Sequence, residues 1–420
     1  DIMTRDNHAV MGDTWGLEVP LWFAPSAEEA HDKLSFHRSN DFEHVGAEVR
    51  AVRDSVGISE ISNFAKYEVT GPGAEAWLSR LMTNTMPKTG RMVLTPMLNA
   101  AGKLIGDFTI AKPGEDRFVI FGSSGAQVYH MRWFEAYLPL DGSVSVVRLG
   151  QRLMGLTIAG PNARKVLEPL VTEDIARTAF RLMDHREMDV AGCPARVNRI
   201  SYTGDLGYEI WMEPCYLRSV YQALKAAGAA YDIRDFGMRA LLSMRLEKNF
   251  PTWAAELRPI YGPVEGGMER FVKLEKNDFI GREAAAREAA EGPRLRRVSF
   301  TIDAGTADVM ADEPIWARTA GRDYGTTAPT HTGVTRFGAE GQALGRSDKQ
   351  VDGDWRVVGW VTSGGYAHSV AASMAQGYVP AALAEEAAED MFEIEILGHR
   401  RAARIAAEPP FDPSGARMRA

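Results

Sequence analysis

The chain has 420 residues, 45% of them hydrophobic, enough for two or three domains of roughly 100–200 residues each with a sizeable buried core. A net charge of −8 with scattered basic residues argues against a phosphate backbone or an anionic membrane surface as partner, so nucleic acid is not an expected target. Two cysteines, Cys193 and Cys215, lack CxxC or metal-type spacing, which argues against a disulfide framework and a zinc site and predicts buried, inert thiols in a reducing compartment.

The N-terminus, Asp1-Ile2-Met3-Thr4-Arg5-Asp6, is not a signal peptide, and no apolar run reaches the roughly 18–20 residues of a membrane span; a cytoplasmic location is the expectation. The aspartate start is compatible with a trimmed tail or with a position inside a longer polypeptide. Residues 1–40 read as an N-terminal extension, 41–290 as a main domain and 291–420 as a second, smaller one.

The main domain opens on an internal repeat. Tyr67-Glu68-Val69-Thr70-Gly71-Pro72-Gly73-Ala74 is echoed by Leu156-Thr157-Ile158-Ala159-Gly160-Pro161-Asn162-Ala163, each copy a strand that ends at Gly-Pro and turns into an amphipathic helix with proline in its first turn. Hairpin-like strands follow each helix, at Met92–Asn99, Leu104–Ala111 and Arg117–Gly122 in the first half and at Ala195–Tyr202 and Gly207–Met212 in the second. The fold class is therefore α+β, with two related halves over about 285 residues.

Each half carries an acid inside a strand, Asp107 in Gly106-Asp107-Phe108-Thr109-Ile110 and Glu209 in Gly207-Tyr208-Glu209-Ile210-Trp211. Carboxylates are depleted from strand interiors, and both follow a glycine and a turn-rich segment. Two readings remain open: a ligand held between the halves, with the acids in corresponding hairpins, or two acids on the polar faces of duplicated antiparallel sheets. The helical pattern Gly237 to Lys248 aims Met238, Leu241, Leu242, Met244 and Leu246 at a core, and its Arg239, Arg245 and Glu247 read as surface or ion-pair residues.

From Pro293 the pattern changes to short β-type runs, Arg297–Ile302, Trp355–Thr362 and Met391–Ile396, which predict a small all-β barrel or sandwich. Thr319–Asp354, rich in Gly, Thr, Asp and Gln, reads as a long loop or extended hairpin, and Ala382–Ala388 as a solvated, acidic turn of helix. No G-x-G-x-x-G, P-loop, H-E-x-x-H or G-x-S-x-G occurs, and His31, His37 and His44 are spaced too irregularly for a metal site.

The run Arg53–Tyr67, the repeat at Gly71-Pro72, Thr95-Pro96-Met97-Leu98-Asn99-Ala100-Ala101-Gly102 leading to Asp107, and Ser201-Tyr202-Thr203-Gly204-Asp205-Leu206-Gly207-Tyr208-Glu209 together resemble the glycine-cleavage T-protein (aminomethyltransferase) family. Trp15-Gly16-Leu17-Glu18-Val19-Pro20-Leu21-Trp22-Phe23, Arg245-Leu246-Glu247-Lys248 with Trp253 and Glu256, Phe279-Ile280-Gly281-Arg282, and Gly359-Trp360-Val361-Thr362-Ser363-Gly364-Gly365-Tyr366 resemble more closely the folate-binding C-terminal half of dimethylglycine and sarcosine dehydrogenases. The resemblance runs from about Trp15 to Pro413.

It implies tetrahydrofolate as cofactor, bound between the two halves, and one-carbon transfer to it from a small methylated amine or related compound. By matching position, Asp107 stands for the family's aspartate beside the folate N5 and N10, with Thr109 its neighbour on the same face; Glu209 stands for the glutamate that grips the pteridine, and Tyr202 lines the same cavity. Phe121 and Trp253 are expected ring contacts. One departure concerns the folate tail: Leu241 occupies the position of a T-protein arginine six residues before the glutamate of the Arg-Leu-Glu motif, which leaves Arg239 or Arg245 as substitutes. Two functions are expected from the resemblance. One is a self-standing demethylase or aminomethyltransferase; the other is the folate module of a larger demethylase or flavin dehydrogenase, capturing formaldehyde or an iminium as 5,10-methylenetetrahydrofolate.

Overall fold

The computed structural model describes residues 5–14, 16–276, 278–319, 322, 324, 335–337, 343–346 and 351–420; Trp15 and most of the expected 319–354 loop lie outside the described residues. The extension is a folded part of the protein. It forms a hairpin, β1 (Ala9–Thr14) with β2 (Leu17–Phe23), whose Trp22 is fully buried. Glu48 of α1 (Phe42–Asp54) fixes it by accepting the backbone N–H of Phe23 at 2.7 Å and of Gly237 at 2.8 Å.

The next strands are β3 (Gly57–Glu60), β4 (Ala65–Thr70), β5 (Met92–Leu98), β6 (Leu104–Gly114), β7 (Arg117–Gly122) and β8 (Ser145–Arg148), then β9 (Met154–Ala159), β10 (His185–Val190), β11 (Cys193–Asn198), β12 (Gly207–Met212) and β13 (Arg234–Asp235). They form one sheet of order β5-β6-β7-β4-β8 and a second of order β10-β11-β12-β9-β3-β13. The two halves therefore exchange a strand. β3 precedes β4 in the chain but pairs with β9, and β8 precedes β9 but pairs with β4.

The Gly-Pro repeats make that crossing possible. Gly71 (φ +118°) and Gly160 (φ +129°) follow β4 and β9 in conformations that favour glycine, and a Cβ would lie 2.3 Å from Ser143 O at the first and 2.4 Å from Ser55 O at the second. The helices that follow, α2 (Ala74–Leu81) and, beyond α3 (Gln127–Ala136), α4 (Ala163–Leu167), have Gly73 and Asn162 as caps, so each proline precedes its helix instead of lying in the first turn as expected.

One face of each sheet packs on helices. Tyr67, Trp77, Phe108, Ile110, Ile120 and Phe134 make the first core, and Ile58, Ile158, Val166, Tyr208, Ile210 and Leu224 the second. The remaining faces meet each other, where Ala111, Val119 and Phe121 of the first sheet pack with Trp211 of the second. The rim of this contact carries Arg117 and Glu68 from one half and Arg196 and Glu187 from the other, alternating in a ring of ion pairs. These side chains are 20–44% exposed, so water screens them and the apolar contact holds the halves together. Glu187→Gln is accordingly expected to cost less than about 1 kcal/mol in urea unfolding; a loss of several kcal/mol would assign the cohesion of the halves to the ring.

After α5 (Pro214–Gly228) comes α6 (Met238–Glu247), which buries Leu241, Met244 and Leu246 but leaves Leu242 39% exposed, contrary to the expected core face. Beyond α7 (Arg282–Glu291), the barrel begins with β14 (Leu295–Ile302) and β15 (Pro314–Arg318). The short strands β16 (Thr335–Phe337), β17 (Ala343–Arg346) and β18 (Val351–Asp352) precede β19 (Trp355–Ala367), β20 (Ala372–Pro380), β21 (Phe392–Ile396) and β22 (His399–Ile405). Closure follows the order β15-β21-β22-β14-β20-β19 and back to β15, six strands around one core. The acidic turn expected to be solvated is α8 (Ala381–Glu385), which buries Leu383 in that core.

Both cysteines are free, but the expectation that they are buried fails: Cys193 is half-buried at the start of β11 and Cys215 is exposed in the first turn of α5. Among the described residues, no helix is long and apolar enough to cross a membrane and no cluster of metal-ligating side chains occurs.

Candidate functional site

Asp107 lies on β6, where alternation turns Phe108 and Ile110 into the first core and leaves Asp107 and Thr109 on the face toward the other half. Gly106 precedes it because a side chain there has no room: a Cβ would meet the Phe108 ring at 2.7 Å and His130 Nε2 at 2.8 Å. His130, fully buried on α3, bonds through Nε2 to Ile105 O at 3.2 Å and braces the strand just before the acid. Burial, with the charge of Glu256 adding to it, pushes the Asp107 carboxyl up to about 6, against the pull of its own backbone N–H. Thr109 stands directly opposite Leu94 on β5 and Phe121 on β7.

Glu209 occupies the equivalent face of the second sheet, in the middle of β12, opposite Asn198 and Thr157. Its Oε2 accepts weakly from Asn198 Nδ2 at 3.5 Å and Trp211 Nε1 at 3.3 Å, while Oε1 has no partner among the described residues. Burial raises its proton affinity to about 7, and these two donors pull the other way. The acids lie in corresponding hairpins but are not symmetry mates. Counting back from the two Gly-Pro turns, Glu209 faces Thr157, whose counterpart Glu68 faces Val119; Asp107 is on the other strand of its hairpin.

Phe121 is 5% exposed and packs on Trp211 at 4.8 Å between ring centres, so it underlies the site through the residue that holds Glu209. Lys66, directly opposite Phe121 on β4, is fully buried and sets Nζ 5.4 Å from the centre of the Trp211 ring. Sequence reasoning gave Trp211 no role; the signal was its position two residues after Glu209, on the same strand face. A cavity of about 640 Å³ opens beyond Trp211, lined among others by Leu149, Arg152, Met188, Arg196 and Tyr216; neither acid lines it.

Tyr202 and Trp253 meet at the loop 249–256. The Tyr202 hydroxyl donates to Pro251 O at 2.6 Å and its ring packs on Phe250, 5.8 Å between centres. Burial holds its proton on, opposed by Arg245 and reinforced by the charges of Glu256 and Asp107, which places this hydroxyl among the site's charges. Trp253 packs on Tyr129 (5.5 Å) and His130 (5.3 Å), and its buried indole N–H has no partner among the described residues. Tyr202→Phe removes the bond to Pro251 and is expected to cost about 0.5–1.5 kcal/mol, read from the urea midpoint.

The turn before β12 is pinned from beneath. Arg53, 5% exposed, donates to Thr203 O at 2.7 Å, to Glu247 Oε2 at 2.6 Å and to Asp205, while its guanidinium lies 3.8 Å from the Phe411 ring. Arg417 also reaches Asp205, at 2.5 Å, so the C-terminal segment locks the same turn. Arg239 is consumed by Asp32 and Asp41, and Arg245 by Glu256, Phe250 O and Ser363. Both are structural ion-pair residues, and neither is an open cation that replaces the arginine absent at Leu241.

Residues 2–276 match the family model described as GCVT N-terminal domain, and residues 296–412 the one described as glycine cleavage T-protein C-terminal barrel domain. A dimethylglycine dehydrogenase, mitochondrial, of Mus musculus is 31% identical over 419 residues, 99% of this chain and 44% of its own length. An aminomethyltransferase of Moorella thermoacetica is 30% identical over 281 residues, 66% of this chain and 75% of the relative. The crystal structure of glycine cleavage system aminomethyltransferase T from Bartonella henselae shares the fold, with a TM-score of 0.76 at 21% identity over 98% of this chain and 97% of that one. The chain spans less than half the length of the dehydrogenases it matches.

Proposed function

The chain belongs to the glycine cleavage T-protein family, and from that premise we propose that it transfers a one-carbon unit from a methylated amine, or a related methylated compound, to tetrahydrofolate. The observation that carries this reading is the pair of recessed carboxylates on facing sheets, where among the described residues no side chain holds Asp107 and one oxygen of Glu209 has no partner. A pterin edge presents a guanidine-like pair of N–H donors, for which a carboxylate with an open oxygen is a fitting acceptor. Glu209 holds the pteridine in this reading, Trp211 and Asn198 orient it, and Thr109, Tyr202 and Trp253 line the space around it. Asp107 faces N5 and N10, where its negative charge stabilises the cationic carbon in transit and accepts or orients a proton.

The reducing setting suggested by two free thiols is met in the cytoplasm, which we take as the compartment. A second reading is favoured by one observation, the match to less than half of the dehydrogenases: the chain is then the folate module of a demethylase or flavin dehydrogenase partner that supplies formaldehyde or an iminium.

The test is mass spectrometry of folate products after incubating the purified chain with tetrahydrofolate and, separately, dimethylglycine, sarcosine, glycine betaine, trimethylamine N-oxide or formaldehyde. A no-protein control corrects for the spontaneous formaldehyde reaction. Methyltetrahydrofolate from a methylated amine, the N5 proton passing to the released amine, or 5,10-methylenetetrahydrofolate from the N-oxide with dimethylamine and water, establishes an autonomous transferase. Acceleration with formaldehyde alone, giving 5,10-methylenetetrahydrofolate and water, establishes the capture module. No product above control from any donor overturns both.

A further inference from the structure

Trp211 is gripped from both halves of the molecule. On its own sheet it stands directly opposite Gly155 of β9, where a Cβ would lie 2.5 Å from the indole, so glycine leaves the ring its place against that strand. From the first half, Phe121 packs on it at 4.8 Å and Phe64 meets it edge-on at 6.4 Å, both between ring centres. Lys66 sets its ammonium over the same ring, 5.4 Å from the centre. Trp211 is 1% exposed and donates its Nε1–H to Glu209 Oε2 at 3.3 Å. Lys66 is the charged member of this apolar contact. It is fully buried, its Nζ donates to a single oxygen, Ser62 O at 2.6 Å, and no carboxylate among the described residues forms an ion pair with it.

We propose that Lys66 is a positioning residue of the folate site that acts through Trp211: its ammonium fixes the indole between the halves and draws electron density from the ring, which makes the indole N–H a stronger donor to Glu209. This rests on the reading that Glu209 holds the pteridine. A buried ammonium is retained against a large desolvation penalty, and a methionine of similar length would fill the same space without it. What the charge adds is its attraction to the ring face, which strengthens once water is excluded. Around Lys66 the charged neighbour is Glu60 of β3, which favours its protonated form. Around Glu209 stand the donors Asn198 and Trp211, Thr157 of β9 opposite it, and His185 of β10 behind Asn198, its Nδ1 2.8 Å from Asn198 Oδ1. No charged side chain of the described residues bonds to Glu209. Burial holds His185 below its ordinary range, so it stays neutral while Glu209 titrates. With no ion pair to fix its charge, Glu209 ionises as readily as its two N–H donors allow, and Lys66 of the first half adjusts one of them without touching the acid.

The test uses the full chain with ¹⁵N-labelled tryptophan, the Trp211 indole resonance being the one lost in Trp211→Phe. In the wild type the indole N–H is expected to move downfield as Glu209 ionises, with a midpoint near 7, a step that Glu209→Gln abolishes. Lys66→Met is expected to move that midpoint up by about 0.3 pH unit, as a weaker donor to the carboxylate requires. It should also raise the Kd for tetrahydrofolate at pH 7 by about two- to fivefold, part of the effect of one lost hydrogen bond, while melting no lower than wild type because a buried charge is gone. A midpoint within about 0.1 unit of wild type overturns the inference, whatever happens to affinity, since a merely structural lysine would leave it there. Should Lys66→Met fail to fold, the wild-type titration is carried to about pH 9.5. Burial lowers the Lys66 proton affinity to about 8, so the indole N–H should show a second, upfield step there, and a resonance that stays fixed overturns the inference. If Glu209→Gln binds tetrahydrofolate as tightly as wild type, the site reading itself fails, which is a different result from a Glu209 that titrates independently of Lys66.

Discussion

Asp107→Asn is expected to slow one-carbon transfer by about 100- to 1000-fold while leaving the affinity for tetrahydrofolate within about threefold, because it removes charge stabilisation and proton handling but little shape. No side chain of the described residues pairs with the carboxylate, Gly106 and His130 fix the strand that carries it, and its face of β6 looks toward the second half. A carboxylate left this free has its lone pairs available to a ligand, which a structural acid would have spent on a neighbour. The same residue sets a pH profile. Its proton affinity is raised to about 6, so the ionised form needed beside a cationic carbon is lost below that pH. Transfer should therefore fall as pH drops through about 6, and single-turnover rates between pH 5 and 8 at saturating folate measure it. An Asn variant with wild-type turnover, or weakened in binding alone, would remove Asp107 from the chemistry.

Much of this was legible in the chain, for reasons that differ residue by residue. The halves announce themselves because Gly71-Pro72 and Gly160-Pro161 are forced by local geometry, a left-handed turn with backbone 2.3–2.4 Å from where a Cβ would be. Asp107 and Glu209 are conspicuous because an acid in a strand conflicts with its local preference, and such conflicts concentrate at ligand sites. The strand exchange was hidden. β3 is four residues long and its partner β9 lies about a hundred residues downstream, so no local pattern encodes the pairing. The same holds for Arg53, Asp205 and Glu247, separated by 152 and 194 positions from the arginine yet joined in one buried network. Glu256 was visible only as part of a motif. Its carboxylate accepts from Thr362 and Ser363 of a barrel strand that expectation ended at Thr362 and the fold continues to Ala367.

Glu209→Gln is expected to weaken tetrahydrofolate binding by about 1–3 kcal/mol, roughly 5- to 150-fold in Kd, as for loss of a charge-assisted bidentate pair. The amide keeps the size of the side chain but offers one acceptor where the pterin edge needs two, and its NH₂ would face another donor. Ionisation gives the prediction a second signature. The Glu209 proton affinity stands near 7 through burial, so the carboxylate that accepts the pterin donors must first lose its proton. Wild-type affinity should therefore rise with pH through about 7 and level off above it, whereas the Gln variant should show no such step, both read by isothermal titration calorimetry from pH 6 to 8.5. Stability should move the opposite way. An acid whose folded value is raised contributes stability that is present below its unfolded value near 4.5 and is lost as pH climbs through 7, so the ligand-free Gln variant, with nothing to ionise, should melt higher than wild type at pH 8. A protein that binds more weakly yet melts higher is the mark of a side chain kept for its ligand, since a structural acid would lose stability when neutralised. Equal affinity of the two proteins across that pH range would move the pteridine away from β12 and leave Glu209 as an acid on a sheet face.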